Sequence, residues 1–161
     1  MNYVIAQASR DDFNGLGEVM FKAVRDGNSP YSQVQRQVWM PTPRCGADWN
    51  DRLAAQYVLK AETRAQENPA LIGFMSLRDD GYVDFAYILP QARGKGLFRK
   101  LFAVIENQAL ARGLEKLSTH ASLMAQPAFK AMGFKTMHKE TVEIDGVTLE
   151  RFEMSKRLVS D

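Results

Sequence analysis

Apolar residues recur three and four positions apart in two long segments of the chain, a spacing that predicts amphipathic helices. The first segment begins at the capping-box-like pair Ser9 and Asp12 and ends at Gly27. The second follows Gly96 directly and ends at Gly113. Each helix would bury one apolar stripe against the rest of the fold.

Two further helical regions are shorter. Prolines interrupt the segment from Asn28 to Asp51, so we expect an irregular connection there with one or two short helices. A brief helix is expected over Ala125–Met132, with Pro127 tolerated in its first turn and Gly133 as its end.

Short runs of apolar residues predict the strands of a sheet. These runs are Tyr3–Ala8, Tyr57–Glu62, Leu71–Leu77, Tyr82–Leu89 and Lys116–Ala121. The run Tyr82–Leu89 is apolar on both faces except for Asp84, which is typical of a central strand covered on both sides. Strand, glycine-rich turn, helix and strand from Tyr82 to Ala121 form a right-handed crossover, so its two strands are expected to be parallel.

The last part of the chain predicts a hairpin around the turn Asp145-Gly146. The apolar residues expected to face each other across it are Val142, Ile144, Val147 and Leu149. Beyond Leu149 the apolar residues move from odd to even positions, so a bulge is expected near Glu150 or Arg151. The hairpin Thr141–Lys156 also offers a sheet edge through which two copies could pair as a homodimer.

Length and composition fit one globular domain spanning residues 1–161, with 45% hydrophobic and 25% charged residues. The net charge of +2 argues against a nucleic-acid binder that works by phosphate neutralisation alone. No apolar run approaches the roughly 20 residues that span a bilayer, and Met1–Ser9 does not resemble a signal peptide, so we expect a soluble cytoplasmic protein. The single Cys45 forbids an internal disulfide, and with only two histidines no metal site is expected.

The turn from Gln91 to Gly96 is the element with the clearest chemistry. A helix start leaves about four N–H groups unpaired, and glycine lets an anion approach the backbone closely, so phosphate is the expected ligand. The basic residues around the turn are Arg93, Lys95, Arg99 and Lys100. The turn lacks the Lys-Ser/Thr ending of a P-loop, and it follows an interior strand, so nucleoside triphosphate and dinucleotide sites fit poorly. The alternative is a loop shaped by glycine beside a solvated basic helix face.

From Tyr82 to Phe134 the sequence resembles the GNAT superfamily of acyl-CoA-dependent N-acyltransferases. The signature of that family is Gln or Arg, two residues, Gly, one residue, then Gly or Ala, and it falls on Arg93, Gly96 and Phe98, with Phe98 departing at the last position. The following helix, strand and Gly-Phe ending are similar to the family in order and spacing. We expect an α/β fold with a mixed central sheet of about seven strands, helices on both faces, and a splay between the central strands.

The resemblance implies acetyl-CoA as cosubstrate. Backbone N–H groups around Gly94 to Phe98 would hold its pyrophosphate, and the strand edge Tyr87–Leu89 would pair with pantetheine. The residues expected to bind the cosubstrate are Tyr87, Ile88, Leu89, Arg93, Gly94, Lys95, Gly96, Leu97, Phe98 and Arg99.

Transfer to an amine requires a proton acceptor, because a lysine-like amine has a reference pKa of roughly 10.4. Asp84 is the candidate base, since a carboxylate in an apolar central strand is either used or paired; the alternative is neutralisation by an arginine or by backbone hydrogen bonds. Many family members carry a tyrosine that protonates the departing thiolate, and Phe129 stands at that position here. Ser122, His120 or water would then supply the proton, although His120 also fits a structural role.

Tyr31 and Trp39 lie in the irregular segment where the family places its acceptor wall, so they either line a substrate pocket or pack the segment onto the core. Cys45 has no nearby histidine and is expected to be incidental. The leading function is transfer of an acetyl group from acetyl-CoA to a primary amine, carried by a small molecule or a protein, through direct attack in a ternary complex. The alternatives are a CoA-binding sensor or interaction module without turnover, motivated by Phe129, and a plain phosphate-binding protein.

Overall fold

The computed structural model describes residues 1–64 and 67–159. Within these ranges the chain forms five α-helices and one seven-stranded sheet in the order β1-β2-β3-β4-β5-β7-β6. The strands are β1 Tyr3–Gln7, β2 Tyr57–Thr63, β3 Leu71–Leu77, β4 Tyr82–Ile88, β5 Lys116–Ser122, β6 Lys135–Ile144 and β7 Val147–Arg157. The helices are α1 Phe13–Arg25, α2 Gln33–Trp39, α3 Ala47–Ala54, α4 Leu97–Ala111 and α5 Gln126–Ala131, with short 3₁₀ turns at Arg10–Asp12 and Pro90–Ala92. The predicted fold class is confirmed.

Helix α1 begins where the sequence predicts it. The Asp12 carboxylate accepts a hydrogen bond from the Ser9 N–H at 2.9 Å, which closes the start of the helix. Gly17 lies inside α1, where glycine costs helix stability. A Cβ at Gly17 would stand 1.9 Å from the Arg44 carbonyl oxygen, so glycine allows the segment between α2 and α3 to cross α1 directly. The same contact fixes the backbone of Arg44.

The sheet opens between β4 and β5. All other neighbouring strands are antiparallel, whereas β4 and β5 are parallel and pair only at Tyr82 with Ser118 and at Val83 with Thr119. The Thr119 hydroxyl donates to the Val83 carbonyl at 2.8 Å, at the last point where the strands meet. Strand β4 also carries one extra residue opposite Ser76, because Met75 pairs with Ala86 while Leu77 pairs with Val83. A bulge of this kind bends a strand and therefore contributes to the splay.

The terminal hairpin forms as predicted, with Val142 paired to Leu149 and Ile144 to Val147. The expected bulge near Glu150 or Arg151 is wrong, because β7 keeps its register through both residues and the irregularity lies in β6 between Thr136 and His138. The apolar residues change position because Leu149 and Met154 lie on opposite faces of β7 and both faces are covered: each of the two side chains is buried. Strand β6 lies at the edge of the sheet, as pairing between two copies would require. The homodimer stays a prediction.

The core lies between the sheet and its long helices. Helix α1 contacts β3 and β4, and α4 contacts β2, β3 and β4. Leu101 and Ile105 of α4 are fully buried, as the helical spacing predicts. None of the described helices is both long and apolar enough to cross a membrane.

Candidate active site

Two cavities of similar size meet in the splay between β4 and β5. The first, here called the glycine-turn cavity, has a volume of about 330 Å³ and extends to Gly94 and Gly96. The second, here called the polar cavity, has a volume of about 320 Å³ and contains most of the ionisable side chains of the cleft. The residues that line both cavities are Tyr31, Trp39, Ala86, Tyr87, Ser122 and Ala125. A group bound in one cavity can therefore meet a group bound in the other.

The backbone at the glycine turn is arranged for close approach of a ligand. Gly94 and Gly96 have φ angles of +73° and +82°, a left-handed conformation that favours glycine. No atom lies within 4 Å of the place where a Cβ would stand at either residue, so the space above the turn is open. Helix α4 starts at Leu97, and its first N–H groups have no partners within the helix. Together with the exposed Lys95 and Arg99, this arrangement suits an anion.

The predicted ligand Arg93 directs its guanidinium elsewhere. Its Nη2 donates to the Ala23 carbonyl at 2.7 Å and its Nε to the Ile88 carbonyl at 3.0 Å. Burial lowers the pKa of Arg93. These bonds join the end of α1 to the end of β4, so the side chain holds the cleft in shape and only its backbone faces the turn.

The family signature also fits two residues earlier, on Gln91, Gly94 and Gly96, without any departure. The backbone supports this alignment, because both glycines have the left-handed conformation and Phe98 already lies inside α4. The Phe98 ring packs edge-on against Phe129 at a centroid distance of 5.1 Å. The Phe98 side chain thus packs against the core, away from the backbone of the glycine turn.

The cleft edge of β4 has N–H groups without a strand partner, because β5 pairs with β4 only at Tyr82 and Val83. The Leu89 N–H donates to the Ile72 carbonyl at 2.9 Å, so Leu89 faces β3. Peptide groups alternate in direction along an antiparallel strand, so those of Tyr87 also face β3 and those of Ala86 and Ile88 face the cleft. Within Tyr87–Leu89, the stretch predicted to pair with pantetheine, only the Ile88 N–H points into the splay. The N–H of Ala86, just before this stretch, points the same way.

Asp84 lies in the polar cavity on the bulged part of β4, with its side chain 7% exposed. Arg52 donates two hydrogen bonds to the carboxylate, from Nε at 3.0 Å and from Nη2 at 2.8 Å. Gln56 Nε2 donates a third at 2.8 Å. The hydrogen bond to Asp84 raises the pKa of Arg52. Asp84 is therefore paired with an arginine, which is one of the two alternatives that the sequence left open for this carboxylate. Arg52 and Gln56 were not predicted, because Arg52 lies in α3, Gln56 lies between α3 and β2, and both are far from Asp84 in the sequence.

A chain of polar side chains runs along the opposite wall. Tyr82 Oη and His120 Nδ1 are 2.6 Å apart, and His120 Nε2 is 3.6 Å from a Glu140 carboxylate oxygen. Arg151 donates to that same oxygen and lowers the pKa of Glu140. Burial raises the pKa of Tyr82. The predicted His120 is thus oriented by a tyrosine that the sequence reasoning missed, because Tyr82 and His120 lie on different strands.

Ser122 occupies the junction of the two cavities. Its Oγ accepts a hydrogen bond from the Ala125 N–H at 3.0 Å, which leaves its own hydroxyl proton available. Phe129 is 2% exposed, packs against Phe98 and Phe134, and lines the polar cavity, but as a phenylalanine it supplies no hydroxyl there.

Tyr31 and Trp39 form the aromatic wall shared by both cavities. Their rings meet edge to face at 5.5 Å. The Tyr31 hydroxyl donates to the Glu150 carbonyl and accepts from the Leu123 N–H, and burial raises its pKa. Tyr31 and Trp39 therefore have both of the roles that the sequence left open. They pack the irregular segment between α1 and β2 onto the sheet, and they line the cleft. Cys45 is exposed.

One group of side chains has the composition of a metal site. Ligand atoms of His120, Glu140 and Glu153 lie within 4.8 Å of one another. Tyr82 already engages His120 and Arg151 already engages Glu140, so a cation would have to compete with both.

A mixed sheet splayed between two parallel strands, with a glycine turn and a helix start at the mouth of the splay, is the architecture expected of an acyl-CoA-dependent N-acyltransferase. Residues 29–158 match the model of the family described as acetyltransferase (GNAT) domain, and the chain belongs to this family. It is similar to "Uncharacterized N-acetyltransferase YafP" of Escherichia coli (strain K12), 27% identical over 154 residues that cover 95% of each chain.

Solved structures agree on the fold. The protein described as "GCN5-Related N-acetyltransferase: Aminotransferase, Class-II" from Rhodopseudomonas palustris is 25% identical with a TM-score of 0.84, and the match covers 98% of this chain and 96% of that chain. A GNAT superfamily phosphinothricin acetyltransferase from Sinorhizobium meliloti, in complex with acetyl-CoA, is 19% identical with a TM-score of 0.71, covering 98% and 89%. The putative acetyltransferase yncA from Salmonella typhimurium, also with acetyl-CoA, is 20% identical with a TM-score of 0.66, covering 100% and 96%.

Proposed function

We propose that the protein transfers an acetyl group from acetyl-CoA to a primary amine by direct attack in a ternary complex. The observation that carries this proposal is the junction of the glycine-turn cavity with the polar cavity at Ala86, Tyr87 and Ser122. A cosubstrate in the glycine-turn cavity and an acceptor in the polar cavity would meet there. The acetyl-CoA bound by the structural relatives from Sinorhizobium meliloti and Salmonella typhimurium supports the choice of cosubstrate.

The glycine-turn cavity has the properties that acetyl-CoA requires. The N–H groups of Gly94 to Phe98 and the side chains of Lys95 and Arg99 would hold the pyrophosphate. Aliphatic and aromatic side chains line the rest of the cavity, which suits the pantetheine arm. The N–H groups of Ala86 and Ile88 are directed into the cleft, where they would bind the amide and thioester carbonyls. Acetyl-CoA supplies an activated acyl group with a thiol as leaving group.

The acceptor binds as an ammonium ion and releases one proton to solvent before its nitrogen can attack. It must lose a second proton when the nitrogen forms a bond to the carbonyl carbon and the carbon–sulfur bond breaks. Asp84 accepts two hydrogen bonds from the Arg52 guanidinium and one from the Gln56 amide, and its two oxygens have room for a further donor. We therefore assign Asp84 to attracting and orienting the ammonium form of the acceptor. Tyr82 and His120 are assigned to proton removal: the Tyr82 oxygen takes the proton from nitrogen while its own proton passes to His120 Nδ1.

The departing thiolate needs a proton donor in place of the phenol that Phe129 lacks. Ser122 reaches both cavities and keeps its hydroxyl proton available, so we assign this role to Ser122. The proton then moves from the Ser122 hydroxyl to sulfur and is replaced from solvent.

A free-thiol assay with an amine library tests the proposal. Thiol release should depend on the amine, and His120→Gln should lower turnover by about 10²-fold to 10⁴-fold, the usual effect of a positioned proton acceptor. His138→Gln is the matched control, because His138 is exposed on β6 and lies outside both cavities. If acetyl-CoA binds tightly but no amine accelerates thiol release, the alternative of a CoA-binding module without turnover replaces this proposal.

A further inference from the structure

The charged side chains of the polar cavity do not balance. Its lining contains the arginines Arg44, Arg52 and Arg151 and the carboxylates Asp84 and Glu150. Three ion pairs account for all but one of these charges. The pairs are Arg52 with Asp84, Arg151 with Glu140, and Lys139 with Glu150. Among residues 1–64 and 67–159, nothing forms an ion pair or a hydrogen bond with the Arg44 side chain.

Arg44 is held in the wall of the cavity by its backbone. Its carbonyl lies against Gly17 of α1, and Pro41 and Pro43 restrict the segment that precedes it. The side chain is half-buried and lines both the polar cavity and a shallower outer cavity formed with Pro41 and Pro43. Burial raises the pKa of Tyr87, and the nearby Arg44 guanidinium opposes that rise. The Arg44 guanidinium is therefore close enough to interact electrostatically with Tyr87, which lines both cavities.

A half-buried guanidinium without a partner favours an anionic ligand. Its planar set of donors matches an oxyanion with two parallel hydrogen bonds. Asp48 lies on the outer cavity but is exposed and forms no ion pair with Arg44 within the described residues. Neither Arg52 nor Arg151 is free to serve, since each already binds a carboxylate.

We propose that Arg44 binds an oxyanion carried by the acceptor, so that the preferred substrates are small amines that also bear a carboxylate or a related anionic group. This inference rests on the proposed acetyl transfer and names the acceptor class. The ammonium end of such a molecule would donate a hydrogen bond to a lone pair of Asp84 that Arg52 and Gln56 leave open, and its anionic end would bind Arg44. The polar cavity, at about 320 Å³, lies in the size range of small-molecule sites.

The experiment uses matched acceptors and matched variants. Each α- and ω-amino acid of two to six carbons is paired with its carboxamide and, where it exists, with the aminoalkylphosphonate of the same chain length. Acetylation is followed by free thiol for the wild type, Arg44→Gln and Arg44→Lys. Arg10→Gln serves as the control, because Arg10 is exposed near the start of α1 and pairs with Asp51 at 3.5 Å, away from the cavities. Melting temperatures show whether each variant is folded.

The expected result is a kcat/KM for the best carboxylate that exceeds that of its carboxamide by about tenfold or more, the size of one charged hydrogen bond. Arg44→Gln should remove this preference by lowering kcat/KM for the carboxylate alone, and Arg44→Lys should restore part of it. A larger value for the phosphonate would identify a tetrahedral oxyanion as the natural group. No preference in the wild type, or equal losses for carboxylate and carboxamide in Arg44→Gln, overturns the inference.

Failure of acetyl transfer itself gives a separate result. If no amine is acetylated, the same carboxylates are titrated into the protein with CoA present and followed by NMR. Binding that Arg44→Gln abolishes and Arg10→Gln retains would reject the proposed function and keep the anion site. Absence of binding, or binding that does not depend on Arg44, would reject the anion site.

Discussion

Replacing Gly96 by alanine separates ligand binding from protein stability. Gly96 precedes α4 with a φ angle of +82°, and Gly113 follows α4 with a φ angle of +76°. At both positions an added Cβ would meet no protein atom within 4 Å. Gly113→Ala is therefore a matched control, since it imposes the same backbone strain at the other end of the same helix, away from the cavities.

The two variants should lose similar stability. A left-handed conformation costs an L-residue about 1 to 2 kcal/mol, and the stiffer unfolded chain offsets about 0.4 to 1 kcal/mol of this cost. The free energy of unfolding should therefore fall by about 1 kcal/mol in each variant, which lowers the melting temperature by about 2 to 4 °C. Only Gly96→Ala places a methyl group where a pyrophosphate would contact the turn. Loss of one hydrogen bond to a charged group is worth about 1.5 to 3 kcal/mol, or about 10-fold to 100-fold in affinity.

Calorimetry with acetyl-CoA measures this difference, and denaturant unfolding measures the common loss of stability. S-acetylpantetheine lacks the pyrophosphate, so its KM should be the same in both variants. Equal acetyl-CoA affinity in Gly96→Ala and Gly113→Ala would show that the phosphates bind elsewhere. Weakened binding of S-acetylpantetheine in Gly96→Ala alone would show that the methyl group disturbs the cleft as a whole.

Three further substitutions test other parts of the argument. Asp84→Asn should raise the acceptor KM more than it lowers kcat in steady-state kinetics, because it removes the charge that attracts the ammonium group; a loss confined to kcat, of about 10²-fold or more, would assign proton removal to Asp84 instead. Phe129→Tyr buries a hydroxyl without a partner, so it should lower the free energy of unfolding by about 1 to 3 kcal/mol, and it should raise turnover only in a Ser122→Ala background, where the phenol replaces the lost donor. Burial of Asp12 opposes its ionisation, but hydrogen bonds from Ser9 and Lys60 outweigh this effect and lower its pKa in the folded protein. The stability that ionised Asp12 contributes is therefore fully present above its pKa in the unfolded chain and is lost as the pH falls through its pKa in the folded protein. Asp12→Asn weakens the contact with Lys60, so it should lower the free energy of unfolding by about 0.5 to 1.5 kcal/mol near pH 7. In urea titrations, the difference between the variant and the wild type should narrow below about pH 4, and a difference that stays constant across pH would exclude this ion pair as its cause.

The sequence was most informative where structure depends on neighbouring residues. The turn at Gly94 and Gly96 could be predicted because left-handed backbone and a helix start both leave local signals. The partners of Asp84 could not, since Arg52 is 32 residues away and reaches it only after α3 has packed beside β4. The contact between Tyr82 and His120 spans 38 residues for the same reason. The expected bulge near Glu150 is absent because β7 is covered on both faces, so its apolar positions can move from odd to even without a change of register.

The opening of β4 away from β5 explains why the proposed cosubstrate and acceptor sites share one strand. Up to Val83 the polar groups of β4 are satisfied by β5, and the Thr119 hydroxyl completes the last contact at 2.8 Å. Beyond it, β3 still pairs with Ala86, Tyr87 and Ile88, so the strand stays rigid while its other edge has no strand partner. A half-buried N–H without a partner is costly, and a ligand that accepts its hydrogen bond removes that cost. The bulge places Asp84 on the same strand toward the polar cavity. In the proposed complex, part of the free energy of binding would therefore come from N–H groups on the edge of β4 that has no strand partner, and pairing with β3 holds these groups in position.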